Sequence, residues 1–156
     1  MSALPEVGLR LLDPRLAGWG FPRWGSAAAA GLDLHACLDE PLILPPRGAP
    51  ALIPAGFCVL IRDPAWCGLI FPRSGRGHRE GLLLGNGTGV IDADYEGPLM
   101  VSAWNRDEAN PVRIEPGDRI AQLVFTRVTR PVLTVLADDF SSGSGRGVGG
   151  FGSSGR

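Results

Sequence analysis

The segment from Gly85 to Leu99, GNGTGVIDADYEGPL, carries the residue types best suited to chemistry. Its three alternate glycines lack a Cβ, so they would let a ligand approach the backbone closely. Asp92, Asp94 and Glu96 follow at two-residue spacing, and in an extended strand their side chains would point the same way. Such a row could hold a cation or place one carboxylate as a general base. The alternative is a hairpin whose acidic side chains are solvated.

The segment PRSGRG, residues 72–77, has the residue types of an anion site. Arg73 offers a bidentate fork to phosphate, and Ser74 offers a hydroxyl group. Ser74 could also cap a short helix, whose first backbone N–H groups, those of Ser74 and Gly75, would attract an anion. An ordinary turn is the alternative. All 15 basic residues of the chain are arginines, so a phosphate site here must use arginine forks, backbone amides or a metal ion.

Three further segments complete the set of candidates. AGLDLHA, residues 30–36, predicts a strand with Leu32 and Leu34 on one face and Asp33 on the other. RIAQLVF, residues 119–125, predicts a buried strand whose Gln122 points at a hydrogen-bonding partner. The glycine-rich segment RGVGGFGSSG, residues 146–155, lacks the GK[ST] ending of a P-loop and follows no strand-to-helix transition.

The elements that must position these residues are predicted to be short β-strands. The chain has 23 glycines and 14 prolines, which punctuate short apolar runs, and the segment after Ser74 is the best helix candidate. Many short strands at this spacing indicate a sandwich, a jelly roll or a barrel. The predicted strands lie near residues 7–11, 32–37, 42–44, 57–61, 69–71, 82–84, 99–104, 112–114, 120–128 and 132–136.

Length and charge favour a single cytoplasmic domain. The chain has 156 residues and a formal net charge of -1, which argues against a broad nucleic-acid-binding face. No apolar run approaches the roughly 20 residues of a membrane span, and the N-terminus lacks a signal-peptide profile. The three widely spaced cysteines are interpreted as reduced thiols. Residues 141–156 have too few apolar side chains to pack a core, which predicts a flexible tail.

Taken together and in this order, the five segments resemble the five motifs of the trimeric deoxyuridine triphosphatase (dUTPase) family, bacterial type. The resemblance covers nearly the whole chain. It implies an all-β domain of the jelly-roll or β-clip type at residues 1–140, with at most one short helix. It also implies a C-terminal lid at residues 141–156 that carries the fifth motif. Members of the family are homotrimers with active sites at subunit interfaces, so the same assembly is expected here.

The resemblance implies hydrolysis of dUTP to dUMP and pyrophosphate, which lowers dUTP and supplies dUMP for thymidylate synthesis. Asp92 matches the general base that activates the water attacking the α-phosphorus. Magnesium is the expected cofactor, held mainly by phosphates and water, with Asp33 contributing at most through a water molecule. Asp94 and Glu96 then become peripheral. The expected substrate-binding residues are Arg73, Ser74, Gly75, Asn86, Val90, Ile91, Tyr95, Met100, Gln122, Arg146 and Phe151.

Two alternative functions remain open at this point. The related dCTP deaminases share the fold, although the intact IDADYEG segment argues against that reaction. A dUTPase-like protein could also bind nucleotide and regulate a partner without needing turnover. His35 and His78 have no partners that suggest a catalytic triad, so both are interpreted as structural.

Overall fold

The computed structural model describes residues 5–136. Arg146, Phe151 and the predicted lid at 141–156 lie outside the described residues, and the boundary at residue 140 stays a prediction. The elements in chain order are β1 (Gly8–Leu11), α1 (Arg15–Gly18), β2 (Gly31–His35), β3 (Leu42–Leu44), β4 (Ala51–Leu60), β5 (Trp66–Pro72), α2 (Ser74–Arg79), β6 (Leu82–Leu84), β7 (Gly89–Ile91), β8 (Pro98–Asn105), β9 (Val112–Ile114) and β10 (Arg119–Arg127).

The strands form three antiparallel sheets. One four-stranded sheet has the order β1-β4-β8-β6, the other has the order β2-β10-β5-β7, and β3 pairs with β9. The predicted all-β fold class is confirmed, as is the short helix that follows Arg73. The four-residue helix α1 was not predicted, so the described residues contain one short helix more than expected. Neither helix within residues 5–136 is long and apolar enough to cross a membrane.

The core follows the two-residue period of the strands. On β8, Leu99, Val101 and Ala103 are buried, and the residues between them are more exposed. On β2, Leu32 and Leu34 are buried, whereas Asp33 lies on the opposite face and is only partly covered. This arrangement confirms the predicted alternation. Because burying a leucine side chain contributes roughly 1.5–3 kcal/mol, the register of β2 is strongly fixed, and Asp33 is held outside the core.

Strand predictions differ from the structure at three places, the first being β4, which begins at Ala51 and not near the predicted residue 57. Strand β7 was not predicted because its three residues, Gly89 to Ile91, lie in a glycine-rich run with little visible alternation. The strand predicted at 132–136 does not form within the described residues, and Val132, Leu133 and Val135 are 87–97% exposed. A β-propensity pattern produces a strand only where a partner strand satisfies its backbone groups. Residues 5–136 of this chain provide no such partner for 132–136.

The three cysteines are buried free thiols, which agrees with the interpretation that they are reduced. Burial raises the pKa of the Cys37 thiol to about 12, and the adjacent Asp13 carboxylate adds to that increase. Its thiolate is therefore scarcely populated at neutral pH, and Cys37 is not a candidate nucleophile.

The turn between β1 and α1 is held by a carboxylate–guanidinium pair that makes stability depend on pH. Asp13 accepts hydrogen bonds from Nη2 of Arg15 at 2.7 Å and from the Arg15 backbone N–H at 2.9 Å. The Arg15 side chain holds the pKa of Asp13 at about 2, and Arg15 also donates to the Leu38 carbonyl at 2.8 Å. A depressed carboxyl pKa stabilises the fold above the unfolded-state pKa of about 4, and this stabilisation is lost as the pH falls through about 2.

We therefore expect Asp13→Asn to lower the free energy of unfolding at pH 7 by about 1 kcal/mol, because Arg15 is 40% exposed and partly screened by solvent. Chemical denaturation at fixed protein concentration between pH 7 and pH 2 measures the effect. The difference from the unsubstituted protein should narrow below pH 4. Asp39→Asn is the matched control, since Asp39 contacts Arg15 but is 96% exposed. A difference that stays constant from pH 7 to pH 2 would contradict the assignment.

Candidate active site

A cleft of about 720 Å³ lies where β2 and β10 meet the start of α2, and we call it the arginine cleft. It brings together five residues that were proposed from separate parts of the sequence. It also contains three arginines to which no role was given. The polar and charged residues lining it, with the glycine that follows Ser74, are Asp33, Arg73, Ser74, Gly75, Arg76, Arg79, Arg119 and Gln122.

Asp33 orients two of these arginines. Its Oδ1 accepts from Nε of Arg73 at 2.9 Å, and its Oδ2 accepts from Nη1 of Arg119 at 3.1 Å. The carboxylate is only 17% exposed, so it is a fixed bridge between β2, β10 and the residue that precedes α2. Sequence reasoning gave Arg119 no function. The antiparallel pairing of β2 with β10 is what brings it beside Asp33, which lies 86 residues away in the chain.

The start of α2 differs in detail from the prediction. Arg73 is the N-cap residue, with an extended backbone at φ -84 and ψ 134, and no side chain forms a capping hydrogen bond. The expectation that Ser74 caps the helix was therefore wrong, since Ser74 is its first helical residue. The Ser74 hydroxyl is not used as a cap, and Ser74 and Gly75 line the cleft. Backbone N–H groups in a first helical turn have no partner within the helix.

Gln122 has the partner that its place in a buried strand predicted. Its Nε2 donates to the Pro72 carbonyl at 2.9 Å, which ties β10 to the end of β5. Gly31 lies against the other side of the amide, and a Cβ there would be 2.3 Å from Oε1 of Gln122. Only glycine at position 31 leaves room for this side-chain orientation. Sequence reasoning missed the role of Gly31, because β2–β10 packing creates it.

A second and smaller cleft of about 170 Å³ follows β7, and we call it the Asp92 cleft. Exposed apolar side chains surround the carboxylate, with Val90 60% and Met100 38% exposed. Apolar walls with a few polar groups are typical of sites for small organic ligands. Among residues 5–136, the structure thus brings together all but one of the residues proposed for the base and sugar. The lining residues are Val90, Ile91, Asp92, Tyr95, Pro98 and Met100.

Asn86 is the residue that the structure does not bring into this cleft. It lies in the exposed turn between β6 and β7, where its carbonyl accepts from the Thr88 N–H at 2.9 Å. Gly87 in the same turn has a φ of 74°, a conformation that glycine adopts without strain. The turn is not that of the expected β-hairpin, because β6 pairs with β8 and β7 pairs with β5 in the other sheet. The side chain of Asn86 is not among the residues that line the Asp92 cleft.

The three acidic residues of this segment do not form a row. Strand β7 ends at Ile91, and the Tyr95 N–H donates to the Asp92 carbonyl at 3.2 Å, which closes a turn. The prediction that an extended strand aligns Asp92, Asp94 and Glu96 is therefore wrong. In the part of the chain that the structure describes, no group of three His, Cys, Asp or Glu side chains could hold a metal ion.

Tyr95 is held by the turn that follows it. Its hydroxyl donates to the Pro98 carbonyl at 2.9 Å, and the ring packs directly over Gly97. A Cβ at position 97 would lie 2.5 Å from the Tyr95 hydroxyl oxygen, so a larger residue would displace the ring. Sequence reasoning identified Tyr95 but not Gly97. The spacing Tyr-x-Gly-Pro was visible in the sequence, although the contact itself depends on the turn.

The arginine cleft and the Asp92 cleft have no lining residue in common. The arginine cleft is lined from β2, β10 and the start of α2, whereas the Asp92 cleft is lined from β7, β8 and the turn between them. One chain therefore presents a basic surface and an apolar surface with a carboxylate at separate places. Of the two histidines, His35 is buried and donates from Nδ1 to the Gly117 carbonyl at 2.8 Å.

Comparisons with known proteins place these features in a family. Residues 18–155 match the family model described as dUTPase. The deoxyuridine 5'-triphosphate nucleotidohydrolase of Xylella fastidiosa (strain M23) is 50% identical over 155 residues, covering 99% of this chain and 97% of the relative. The protein of the same name from Xanthomonas campestris pv. campestris (strain B100) is 51% identical over 151 residues, covering 96% of this chain and 97% of that relative.

Solved structures show the same likeness. A mutant dUTPase of Staphylococcus bacteriophage 80alpha, in complex with dUpNHpp, superimposes with a TM-score of 0.80 at 29% identity, covering 97% of this chain and 99% of that one. A mutant dUTPase from phage phi11 of S. aureus has a TM-score of 0.73 at 25% identity, covering 87% and 99%. The phi11 structure is described as revealing the coordination of a structural Mg(II) ion.

Proposed function

Since the chain belongs to the dUTPase family and has its jelly-roll, β-clip fold, we propose that it hydrolyses dUTP to dUMP and pyrophosphate. The observation that carries this proposal is the Asp92 cleft, in which a carboxylate, a tyrosine and exposed apolar residues meet. A cleft lined by arginines suits the triphosphate. The reaction would lower dUTP and supply dUMP for thymidylate synthesis.

We infer that a homotrimer completes each active site. The basic surface and the carboxylate surface share no lining residue and are built from different elements, so one chain presents two half-sites. If the arginine cleft of one subunit faces the Asp92 cleft of another, a single dUTP contacts both. The exposed apolar segment at 132–136 supports assembly, because isolated chains seldom leave several such side chains in water.

Asp92 is proposed as the general base. Its carboxylate takes a proton from a water molecule while the water oxygen forms a bond to the α-phosphorus. The bond from the α-phosphorus to the oxygen bridging the α- and β-phosphates breaks, and pyrophosphate leaves with the electron pair. Arginine forks stabilise the negative charge that the phosphate oxygens carry in the transition state.

The residues around Asp92 are proposed to recognise deoxyuridine. The backbone at Val90 and Ile91, with Asn86 from the adjacent turn, would pair with the uracil edge, and Met100 would close the end of the pocket. Pairing with the base edge excludes cytosine, because the wrong base leaves buried polar groups unpaired. Tyr95 would pack against the deoxyribose and leave no room for a 2′-hydroxyl group.

The phosphate chain is proposed to bind in the arginine cleft. Arg73, Ser74, Gly75 and Gln122 already lie together there, and Asp33 orients Arg73. From the C-terminal lid, Arg146 would add a further phosphate contact, and Phe151 would stack on uracil. Closure of such a lid excludes water and completes the site.

Magnesium fits this site as an ion carried by the substrate. Asp33 is the carboxylate that lines the arginine cleft, and both of its oxygens already accept hydrogen bonds from arginines. Among residues 5–136, this leaves the substrate phosphates and water as the main groups that would hold Mg2+. Such an ion would neutralise phosphate charge, with Asp33 contacting it at most through water.

A pyrophosphate-release assay tests this function. With magnesium present, we expect turnover of dUTP and far slower turnover of dCTP, dTTP and UTP. Absence of dUTP turnover would contradict the proposal and leave a nucleotide-binding regulatory protein as the alternative. Release of ammonia from dCTP would instead support the deaminase.

Gly97 allows a test of how Tyr95 selects the deoxyribose. Because a Cβ at position 97 would displace the Tyr95 ring, we expect Gly97→Ala to raise the UTP to dUTP ratio of kcat/KM about tenfold. Gly18→Ala is the matched control, since a Cβ there meets nothing within 4 Å. Steady-state kinetics with both nucleotides measure the ratio. An unchanged ratio in the Gly97→Ala variant would show that selection of the deoxyribose does not depend on the contact between Tyr95 and Gly97.

A further inference from the structure

Arg79, the last residue of α2, lines the arginine cleft but has no role in the site described above. We propose that Arg79 is an additional phosphate-binding residue, which contacts the part of the triphosphate beyond the α-phosphorus. This inference rests on the proposed function, because it concerns the same substrate. It is carried by the charge pairing within the cleft and by the position of the Arg79 guanidinium.

The charges in the cleft are unevenly paired. Arg73 and Arg119 both bind Asp33, at 2.9 and 3.1 Å. Arg76 contacts Glu80 at 2.8 Å and Asp118 at 3.0 Å. Each of these three guanidinium groups has a carboxylate within 4 Å. Within residues 5–136, no carboxylate lies within 4 Å of the Arg79 guanidinium. Four guanidinium groups thus face three carboxylates, and the uncompensated positive charge is on Arg79. An unpaired arginine in a cleft is well suited to bind an anionic ligand.

Arg76 shows that the arginines of α2 have different tasks. Its side chain is only 15% exposed, and Nη2 also donates to the Arg113 carbonyl at 2.8 Å. Every side of this guanidinium is therefore occupied by protein groups that tie α2 to β9 and to the turn before β10. Arg76 holds the helix in place. Arg79, three residues further along, has an exposed side chain whose fork remains available to a ligand.

The Arg79 guanidinium lies beside Gly75, one turn earlier in the helix. A Cβ built on Gly75 would be 3.2 Å from Nη2 of Arg79 and 3.7 Å from its Cζ. The side chain therefore runs back along the helix, as i and i+4 residues on one face do, and places its fork next to a residue proposed to contact phosphate. A phosphate group bound at Gly75 is thus within reach of Arg79.

The geometry also indicates which phosphates Arg79 contacts. The α-phosphorus must lie near Asp92 if Asp92 activates the attacking water. Asp92 lines the Asp92 cleft, which has no lining residue in common with the arginine cleft. The β- and γ-phosphates extend from there into the arginine cleft. Loss of Arg79 should therefore weaken binding of a triphosphate and leave binding of dUMP unchanged.

The first experiment compares Arg79→Gln, Arg79→Lys and the control Arg106→Gln, whose arginine is exposed and lines neither cleft. Calorimetry with dUpNHpp and with dUMP gives the two affinities, and steady-state kinetics give kcat and KM for dUTP. Removing a charged hydrogen-bond donor should raise the Kd for dUpNHpp about 10- to 100-fold in Arg79→Gln. Arg79→Lys should recover part of the loss, because it keeps the charge without the fork.

The second experiment uses Gly75→Ala. Because the three side-chain atoms nearest to its Cβ all belong to the Arg79 guanidinium, the substitution should displace that group without unfolding the protein. If both changes act through Arg79, the double variant should bind dUpNHpp little more weakly than Gly75→Ala alone. Additive losses would overturn the proposed coupling between Arg79 and Gly75.

The outcomes separate this inference from the proposed function. If the unsubstituted protein fails to hydrolyse dUTP, the function fails, and Arg79 is then tested by binding of inorganic tripolyphosphate. If dUTP is hydrolysed and Arg79→Gln leaves the Kd for dUpNHpp unchanged, the inference is overturned. Equal losses for dUpNHpp and dUMP, or a lowered Tm in both Arg79 variants, would assign Arg79 a structural role and overturn it as well.

Discussion

Asp92→Asn is expected to lower kcat about a thousandfold and to leave the affinity for dUpNHpp and the assembly unchanged. Asparagine has nearly the same shape as aspartate, but its amide cannot accept the proton of the attacking water. The Asp92 side chain is exposed at the end of β7, outside the core, so the substitution should leave folding intact. Single-turnover kinetics measure the chemical step separately from binding.

Asp94→Asn is the matched control for this prediction. It lies two residues further along the same turn and makes the same change in charge, but it does not line the Asp92 cleft. We expect it to keep near-normal kcat. If Asp94→Asn loses as much activity as Asp92→Asn, the effect comes from the charge of the turn. Near-normal turnover by Asp92→Asn would remove Asp92 as the general base.

Truncation after Ser142 is expected to have the second large effect, a loss of about a hundredfold or more in kcat/KM for dUTP with little change in Tm. The buried core cluster is formed by residues between Leu16 and Leu123, and all ten strands end by Arg127, so the deletion removes no core contact among the described residues. It removes Arg146 and Phe151, which are proposed to contact phosphate and uracil.

Circular dichroism and thermal melts at fixed protein concentration, together with steady-state kinetics, measure the two parts of this prediction. Phe151→Ala in the full chain is the matched comparison, because it removes the proposed stacking side chain and keeps the rest of the segment. It should lose part of the activity that truncation loses. If the truncated chain unfolds, residues 143–156 stabilise the fold, and the interpretation of this segment as a lid is wrong.

Local patterns in the sequence predicted the fold class and most strands. Apolar alternation in segments such as AGLDLHA, with glycine and proline between the runs, indicates short antiparallel strands because the two-residue period is a property of each strand by itself. The short helix Ser74–Arg79 was predicted from Ser74 as a possible cap, although Ser74 does not cap it in the structure. The pattern at 132–136 failed because strand formation there needs a partner that residues 5–136 do not provide.

The residues of the candidate site also differ in whether the sequence alone could identify them. The order of the five motifs identified Asp92, Tyr95, Arg73 and Gln122, since these residue types are tied to the chemistry that the motifs carry. No local pattern could show that Asp33 and Arg119, which lie 86 residues apart, form an ion pair. That pair depends on the register of β2 against β10, which packing of the whole sheet decides.

The amino-acid sequence by itself determined the family, the all-β architecture and the residue types at the proposed reaction centre. Only the tertiary structure decided that the proposed phosphate and base surfaces of one chain share no lining residue and that Gly31 and Gly97 make room for Gln122 and Tyr95. It also decided that, within residues 5–136, Asp33, Glu80 and Asp118 pair with other arginines of the cleft and not with Arg79. The physical reason is the range of the contacts involved. Strand periodicity and turn chemistry act over a few residues, whereas ion pairing and close packing depend on which strands become neighbours.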